Sequence, residues 1–413
     1  MRPIPTKFGI GFTCDEPLPE GEALGYRYEK VGIYHNYYAT AENWSFPLKE
    51  DKTKAINFKI DGFSPNLNKS LHVGHLRNLA IANSLCKMLD VYNSVAYPNG
   101  KSTFVALLGA SLGVKKEALD GWKYWTDFVQ YHPKEYFDIT LPNDVVETHP
   151  ATPVDATEYS NAVAANTEAW DGPKGEVIVK RSTGVPLYAY YDLAFASYVG
   201  PTHYITGHEQ KEHFEQLGFG EKHLAMGLVL GEDGKKLKSR TGDAILAKDI
   251  LQMITERLDG NDEKLAWNIL AWNFLHVNRE KDLKFNLKDW TNPDQGGLYI
   301  TYTYARALSA LKQIPYRVKK LYREQLVTPL QDEDIALLGF AEQYKYYLQL
   351  SMYKLDPTPL ANFTYELAKQ ISQAYTREKV QGGRRSFIQS FEHATWRLEN
   401  CLLKLGMFAI QKV

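Results

Sequence analysis

The hydrophobic pattern of this 413-residue chain changes along its length, and that change limits the folds open to it. In the first part, apolar runs typical of strands alternate with stretches of helical periodicity. The strands are predicted at 55–60, 177–180, 203–206 and 224–230, and the helices at 75–90 and 188–199. From Asp249 onward the pattern is almost wholly helical, with helices predicted at 300–323, 332–354, 360–380 and 386–408. Alternating strands and helices favour an open, mostly parallel sheet, so we predict an α/β domain followed by an all-α domain.

Turn-forming residues from Asn292 to Gly297 mark the predicted boundary between these two domains. Residues 1–54 are rich in Gly, Pro and Tyr, which indicates a small N-terminal segment that is β-containing or irregular. We therefore expect an N-terminal segment over 1–54, an α/β domain over 55–292 and a helical domain over 293–413.

Composition and charge exclude several classes of protein. The chain has 48 Lys and Arg against 49 Asp and Glu, so it does not bind nucleic acid by bulk charge, although a local basic face stays possible. It has no run of 18 apolar residues that could span a membrane, and its N-terminus lacks the apolar core of a signal peptide. Its three cysteines are far apart and form no C-x-x-C pair, which argues against a disulfide framework or a structural zinc site. We predict a cytosolic protein.

The segment Ser64–Arg77 carries the first candidate site, because it places two histidines where a strand gives way to a helix. Backbone N–H groups and the helix dipole favour anions there, and His72 and His75 can donate hydrogen bonds to a phosphate. Gly74 has no Cβ, so a planar ring can lie against the backbone. Taken alone, the string fits a helix N-terminus with two surface histidines equally well.

The second candidate site is a basic loop, Gly231–Asp243, which follows the last predicted strand. Glycines flank four basic residues, as expected for a loop that closes over polyphosphate. Alone, the loop is better explained as a solvated hairpin tip. Together, a phosphate cradle after the first strand and a basic segment after the last one form two halves of a nucleotide site.

These motifs resemble those of the class I aminoacyl-tRNA synthetases, and within that class arginyl-tRNA synthetase in particular. His72-Val73-Gly74-His75 matches the HIGH signature, and Lys236–Arg240 matches a divergent KMSKS signature. Further likeness lies in five segments: Ser64–Arg77, Lys180–Tyr188, Asp192–Ala194, Gly207–Phe214 and Asn278–Asp282. It continues through Gly297–Arg306 into the helical domain. Two positions depart from the family pattern: Ser70 replaces a proline, and the stretch Asn99–Gly109 keeps only its two ends.

The resemblance implies a Rossmann-like, HUP-type catalytic domain, an anticodon-binding-like helical bundle, and a role for each matching residue. The implied catalytic residues are His72, His75, Lys69 and Lys236. Gly74, Lys238, Ser239 and Arg240 join the histidines and Lys236 in binding ATP. Asn66, Asn99, Tyr188, Asp192 and Gln210 would bind the amino acid. Tyr188 and Asp192 would hold the arginine guanidinium, and their spacing of four residues places both on one side of a helix. Lys69 would compensate for the missing second lysine of KMSKS, whose place Ser239 takes.

The implied reaction is attack of the arginine carboxylate on the α-phosphate of ATP, with Mg²⁺ bridging phosphate oxygens, followed by transfer to tRNA. The expected partners are L-arginine, ATP and tRNA, with no membrane, and the expected state is a monomer. Two alternatives stay open: a synthetase-derived ligase that passes activated arginine to a non-tRNA amine or hydroxyl, and a catalytically inactive tRNA-binding relative. The short N-terminal segment and the altered Asn99–Gly109 stretch keep the first of these alternatives open. Retention of the histidines and of Lys69 and Lys236 argues against the second.

The helical domain is more basic than the rest of the chain. From residue 300 onward it has 16 Lys and Arg against 10 Asp and Glu. Four basic residues cluster around Gly382-Gly383, namely Arg377, Lys379, Arg384 and Arg385. With nearby tyrosines they suit phosphates and unstacked bases, although a packed bundle with a solvated basic surface explains them equally well.

Overall fold

The computed structural model describes residues 2–6, 9–14, 26–39, 60–62, 72–89, 169–179, 187, 189, 192–193, 203–235, 245–258, 260, 262–314 and 330–412. The chain divides into two compact units. One unit joins Met1–Thr53 to Asn292–Val413, and the other is Lys54–Thr291. None of the helices in these described ranges is long and apolar enough to cross a membrane.

The elements are numbered in chain order. The strands are β1 Arg2–Thr6, β2 Gly9–Cys14, β3 Tyr26–Val31, β4 Tyr34–Ala39, β5 Ile60–Asp61, β6 Ala169–Gly172, β7 Gly175–Ile178, β8 His203–Gly207, β9 His223–Met226, β10 Val229–Leu230 and β11 Leu283–Lys284. The helices are α1 Val73–Leu89, α2 Lys211–Gln216, α3 Ala247–Arg257, α4 Glu263–Leu275, α5 Leu287–Trp290, α6 Gly296–Lys312, α7 Asp332–Glu342, α8 Tyr344–Lys354, α9 Thr358–Arg377 and α10 Arg385–Lys404.

A parallel sheet organises the unit Lys54–Thr291. Strands β5, β8 and β9 lie side by side in that order, and Tyr204 stands opposite His223 in the register. β10 pairs in parallel with β11 in a second, two-stranded sheet. Because parallel strands share one carboxyl edge, the segments that follow β5, β8 and β9 leave the sheet on the same side. The predicted parallel sheet is therefore present among the described residues.

Helix α1 packs against this sheet and against α3 and α4, so most of its surface is buried. Leu76, Leu79 and Leu85 are almost fully buried. Gly62, just after β5, lies so close to Ala82 that a Cβ there would collide with the alanine side chain. The predicted helix 75–90 is therefore confirmed, although it begins two residues earlier.

Two strand predictions differ from the structure in detail. The strand predicted at 177–180 belongs to β7, which pairs antiparallel with β6 in a hairpin of its own. The run 224–230 divides into β9 and β10 at Gly227. A Cβ on Gly227 would collide with the backbone of Lys281 and stand 2.7 Å from the amide nitrogen of Asp282, so the chain passes another segment there too closely to continue a regular ladder.

The second unit combines an antiparallel sheet with a helical bundle. The N-terminal strands have the order β1-β2-β4-β3, and β2 lies against α7. Helices α6, α9 and α10 confirm their predictions, with α6 ending at Lys312 and residues 315–323 lying outside the described ranges. The single helix predicted at 332–354 is instead two, α7 and α8, which meet at Gln343. A capping box between Gln331 and Asp334 fixes the start of α7.

Candidate active site

Two histidine rings stack at the beginning of α1. The rings of His72 and His75 lie 3.9 Å apart between centroids, with 30° between their planes. The backbone N–H of His72 donates to Nδ1 of His75 at 3.0 Å, and the N–H of Gly74 donates to Nδ1 of His72 at 3.1 Å. The first turn of α1 has no acidic residue, so the positive end of its dipole is not offset locally.

These hydrogen bonds fix the tautomer of both rings. A backbone N–H can only donate, so each Nδ1 is an acceptor, and each ring carries its proton on Nε2. Burial and the neighbouring His72 lower the pKa of His75 to about 3, so this ring is neutral at physiological pH. The pair therefore presents Nε2–H donors, which suit an anion such as a phosphate.

Gly74 is required by the packing of this pair. A Cβ built on Gly74 would stand 3.0 Å from Cε1 and 3.1 Å from Nδ1 of His72, closer than ordinary van der Waals contact. An alanine at this position would displace the ring of His72. Because Gly74 has no Cβ, the ring of His72 can stay in its observed position.

Both ends of the basic loop lie beside α1. On the return side, Val73 N–H donates to the carbonyl of Ile245 at 3.2 Å, and His72 forms an antiparallel bridge with Leu246. On the outgoing side, Arg77 of α1 donates to the carbonyl of Gly227 at 2.8 Å, just before β10. The structure thus brings the histidine motif next to the residues that flank the basic loop.

Asp192 and Gln210 follow different elements of the same unit. Asp192 is buried, and Nε2 of His213 on α2 lies 2.7 Å from its Oδ2. Gln210 is exposed in the turn that follows the carboxyl end of β8. The buried carboxylate with an imidazole partner is a suitable acceptor for a cationic group.

Eight predicted site residues lie outside the described residues. They are Asn66, Lys69, Asn99, Tyr188, Lys236, Lys238, Ser239 and Arg240. Their predicted roles stay predictions.

The helical unit contains a groove on the exposed side of α9. The groove has a volume of about 370 Å³ and is lined by Tyr299, Lys369, Ser372, Gln373, Thr376 and Arg377. Lys369 lies 4.3 Å above the ring of Tyr365, and its hydrogen bond to Glu366 raises its pKa, so it stays cationic. An aromatic ring beside two cations suits a nucleobase with its phosphate.

The four basic residues predicted to bind RNA have different environments. Arg377 and Lys379 are exposed, and Lys379 lies 4.5 Å above the ring of Tyr375. Arg385 is half-buried. The Arg384 guanidinium instead donates to the buried carboxylate of Asp334 at 3.0 Å and to Glu378 at 2.8 Å. Arg384 therefore ties the segment between α9 and α10 to the start of α7.

Comparisons with known proteins show which proteins this chain is similar to. Residues 300–402 match the family model of the DALR anticodon binding domain. The chain is 26% identical to an arginine–tRNA ligase of Clostridium perfringens, over 94% of this chain and 88% of the relative. It is 22% identical to one of Clostridium kluyveri, over 85% of this chain and 81% of the relative.

Solved structures share the fold. Thermus thermophilus arginyl-tRNA synthetase aligns with a TM-score of 0.62 and 16% identity, over 96% of this chain and 90% of that chain. The Plasmodium falciparum arginyl-tRNA synthetase aligns with a TM-score of 0.62 and 17% identity, over 94% and 86%. The chain is an arginyl-tRNA synthetase-like protein.

Sequence reasoning did not assign a role to three residues that the structure places in or beside these sites. They are Arg77, His213 and Tyr299. Arg77 and His213 fall within the motifs already recognised, but their partners lie far away in the sequence, so spacing gives no signal for them. Tyr299 lies within Gly297–Arg306, and only the packing of α6 against α9 places it beside Lys369 and Arg377.

Proposed function

We propose that this chain is an arginine–tRNA ligase, which activates L-arginine with ATP and transfers the arginyl group to tRNA. The observation that carries the proposal is the stacked pair His72 and His75, with Nε2–H donors at the start of α1 and beside Ile245–Leu246, where the chain returns from the basic loop. The similarity to arginine–tRNA ligases over nearly the whole chain supports it.

The first step needs no protein nucleophile. A carboxylate oxygen of arginine attacks the α-phosphorus of ATP, a new P–O bond forms, and the bond to pyrophosphate breaks. Negative charge shifts onto the leaving pyrophosphate, and the donors of His72 and His75 stabilise it. Lys69 and Lys236 are proposed to add positive charge. A ribose hydroxyl at the end of tRNA then attacks the arginyl carbonyl carbon, and AMP leaves.

We propose that Mg²⁺ enters with ATP, held by its phosphate oxygens. In the described part of the chain, no cluster of three or more His, Cys, Asp or Glu side chains is arranged to hold a metal ion. Mg²⁺ keeps several waters and commonly binds through substrate phosphates, so binding through the phosphates of ATP is compatible with its chemistry.

Selection of arginine is proposed to depend on Asp192. Its carboxylate is buried, so a guanidinium paired with it would gain more than it would at an exposed acid. Tyr188, Asn66, Asn99 and Gln210 are proposed to complete the amino-acid site.

The helical domain is proposed to hold the anticodon stem and loop. Arg377, Lys379 and Arg385 would contact phosphates, and the groove beside Tyr299 supports a site for an unstacked base. The proposed domains are a small N-terminal segment over 1–54, a Rossmann-like ATP and arginine domain over 55–292 and the anticodon-binding domain over 293–413. We propose that the enzyme acts as a monomer in the cytoplasm, with its tRNA substrate.

The test is arginine-dependent ATP–pyrophosphate exchange with and without total tRNA, followed by acid precipitation of labelled arginine. Exchange together with arginine trapped on RNA is the expected result. Exchange without charged RNA would move the assignment to a ligase with another acceptor, and no exchange in either condition would refute the proposal.

A pair of histidine variants connects this activity to the site. His75→Ala should abolish exchange, because it removes a donor to the phosphate. His223→Ala is the matched control, since His223 lies in the same unit and hydrogen-bonds Thr206 at 2.9 Å. No role in the reaction is proposed for it. Equal exchange in the two variants would contradict the role of His75.

A further inference from the structure

Arg77 is a buried arginine whose cationic group is held by backbone. Its side chain has no exposed surface. Nη1 donates to the carbonyls of Gly227 at 2.8 Å and Leu228 at 3.3 Å, and Nη2 donates to that of Lys281 at 2.8 Å. Burying a cation is costly unless its hydrogen bonds are satisfied, so the site must hold these carbonyls in place.

The two segments that Arg77 joins, at Gly227–Leu228 and at Lys281–Asp282, are in direct backbone contact. Gly227 lies against the backbone of Lys281 and Asp282 without space for a Cβ. Gly227 N–H donates to the Arg279 carbonyl at 2.8 Å, and Leu228 N–H donates to Oδ1 of Asp282 at 2.7 Å. Arg77 reaches both segments at once, because its planar guanidinium can donate in two directions.

The segment held by Arg77 leads directly into the basic loop. Val229 and Leu230 form β10, and the loop follows at Gly231. The chain returns at Ile245 and Leu246, where Val73 and His72 bind it. One helix, α1, therefore holds the residues on both sides of the basic loop and also carries the histidine pair.

We infer that Arg77 is a positioning residue for adenylate formation, which fixes β10 and the start of the basic loop relative to His72 and His75. The inference rests on the proposed function, because the loop is proposed to supply Lys236 to the phosphates. Arg77 does not touch the substrate. It acts through the placement of Gly227 and Leu228.

The substitution Arg77→Lys tests this role, since it keeps the charge but has no planar fork to join two segments. We expect kcat for adenylate formation to fall at least about tenfold, with the KM for arginine changing less than about threefold. Hydrogen–deuterium exchange of residues 228–235 should become faster in the same variant.

Arg397→Lys is the matched control for the loss of a buried arginine. Arg397 is 3% exposed, lies in α10 of the other unit and pairs with Glu342 at 2.7 Å. We expect it to lower the melting temperature but to leave kcat, measured with saturating tRNA, and exchange at residues 228–235 as in the wild type.

The outcomes separate the two proposals. If the wild type shows no arginine-dependent exchange, the proposed function fails, and the inference fails with it. If the wild type is active and Arg77→Lys has an unchanged kcat, the inference alone is refuted, whether or not residues 228–235 exchange faster. An equal loss of kcat in Arg397→Lys would also refute it, because the loss would then reflect general destabilisation.

Discussion

Gly74→Ala should impair adenylate formation without unfolding the protein. The new Cβ would stand 3.0 Å from Cε1 and 3.1 Å from Nδ1 of His72. Carbon atoms at optimal separation are about 3.5–4.0 Å apart, so the ring must move by roughly half an ångström. That movement stretches the hydrogen bond from Gly74 N–H to His72 Nδ1, which is already 3.1 Å long.

The size of the effect follows from two contributions. Loss of one hydrogen bond costs about 0.5–1.5 kcal/mol, and holding the ring away from its rotamer costs about 0.5–1.5 kcal/mol. If both are lost from the transition state, the barrier rises by about 1–3 kcal/mol, which corresponds to a rate lower by roughly five- to 150-fold. Alanine favours a helix over glycine by about 0.8–1.0 kcal/mol, which offsets part of the same cost in the folded state, so the protein should stay folded.

The assay is arginine-dependent ATP–pyrophosphate exchange at saturating arginine and tRNA, with melting temperature measured in parallel. Gly260→Ala is the matched control, because among the described residues a Cβ at Gly260 would meet only the carbonyl oxygen of Leu258, at 3.8 Å. Exchange within twofold of the wild type in Gly74→Ala, at unchanged melting temperature, would refute the argument that His72 must keep this position.

Three further predictions follow from other contacts. Asp192→Asn should raise the KM for arginine at least about tenfold and leave the KM for ATP unchanged in steady-state kinetics, since a charged hydrogen-bond partner is lost. His213→Ala should raise the KM for arginine less, because it removes only the imidazole partner of this carboxylate. An unchanged KM for arginine in both variants would exclude Asp192 from the amino-acid site. The pKa of His75 is about 3 in the folded protein, against an ordinary value of 6.5, so between these two pH values the unfolded chain binds one more proton and stability falls as the pH falls. The free energy of unfolding in urea should therefore fall less between pH 7 and pH 5 for His75→Gln than for the wild type. Equal falls in the two proteins would contradict the burial of a neutral ring. Arg384→Met should destabilise the helical unit by about 1–3 kcal/mol, because it leaves the buried carboxylate of Asp334 without its guanidinium, and an unchanged urea midpoint would show that this ion pair contributes nothing.

Helices and strands could be predicted from the sequence where they depend on residues close together in the chain. Helix α1 was predictable because Leu79, Ala82 and Cys86 recur at helical spacing, and β8 because it is a short run of residues typical of strands. The break between α7 and α8 was not, since Gln343 stays close to helical geometry, with φ −63° and ψ −14°, and is not a helix-breaking residue type. The division at Gly227 was also missed, because it depends on the passage of Lys281, which lies 54 residues further along the chain.

The residues of the candidate site also differ in how far the sequence could predict their roles. The histidine motif is local, so its residues could be identified from their order in the chain. The partners of Asp192 and Arg384 are His213 and Asp334, which are 21 and 50 residues away, and only folding brings them together. Arg384 illustrates the consequence: its basic character and its glycine neighbours suggested a phosphate contact, whereas the structure uses its guanidinium to join two carboxylates.

The orientation of the histidine pair limits what these rings can do in the reaction. Both Nδ1 atoms accept hydrogen bonds from backbone N–H groups. The pKa of His75 is about 3, so its ring does not take up a proton near neutral pH. A ring in that state can stabilise charge through Nε2–H but cannot serve as a general acid that cycles during turnover. Adenylate formation needs no such acid, because the attacking carboxylate is already ionised and pyrophosphate leaves as an anion. The burial that lowers the pKa of His75 thus fits a site that works by placing fixed donors around a phosphate.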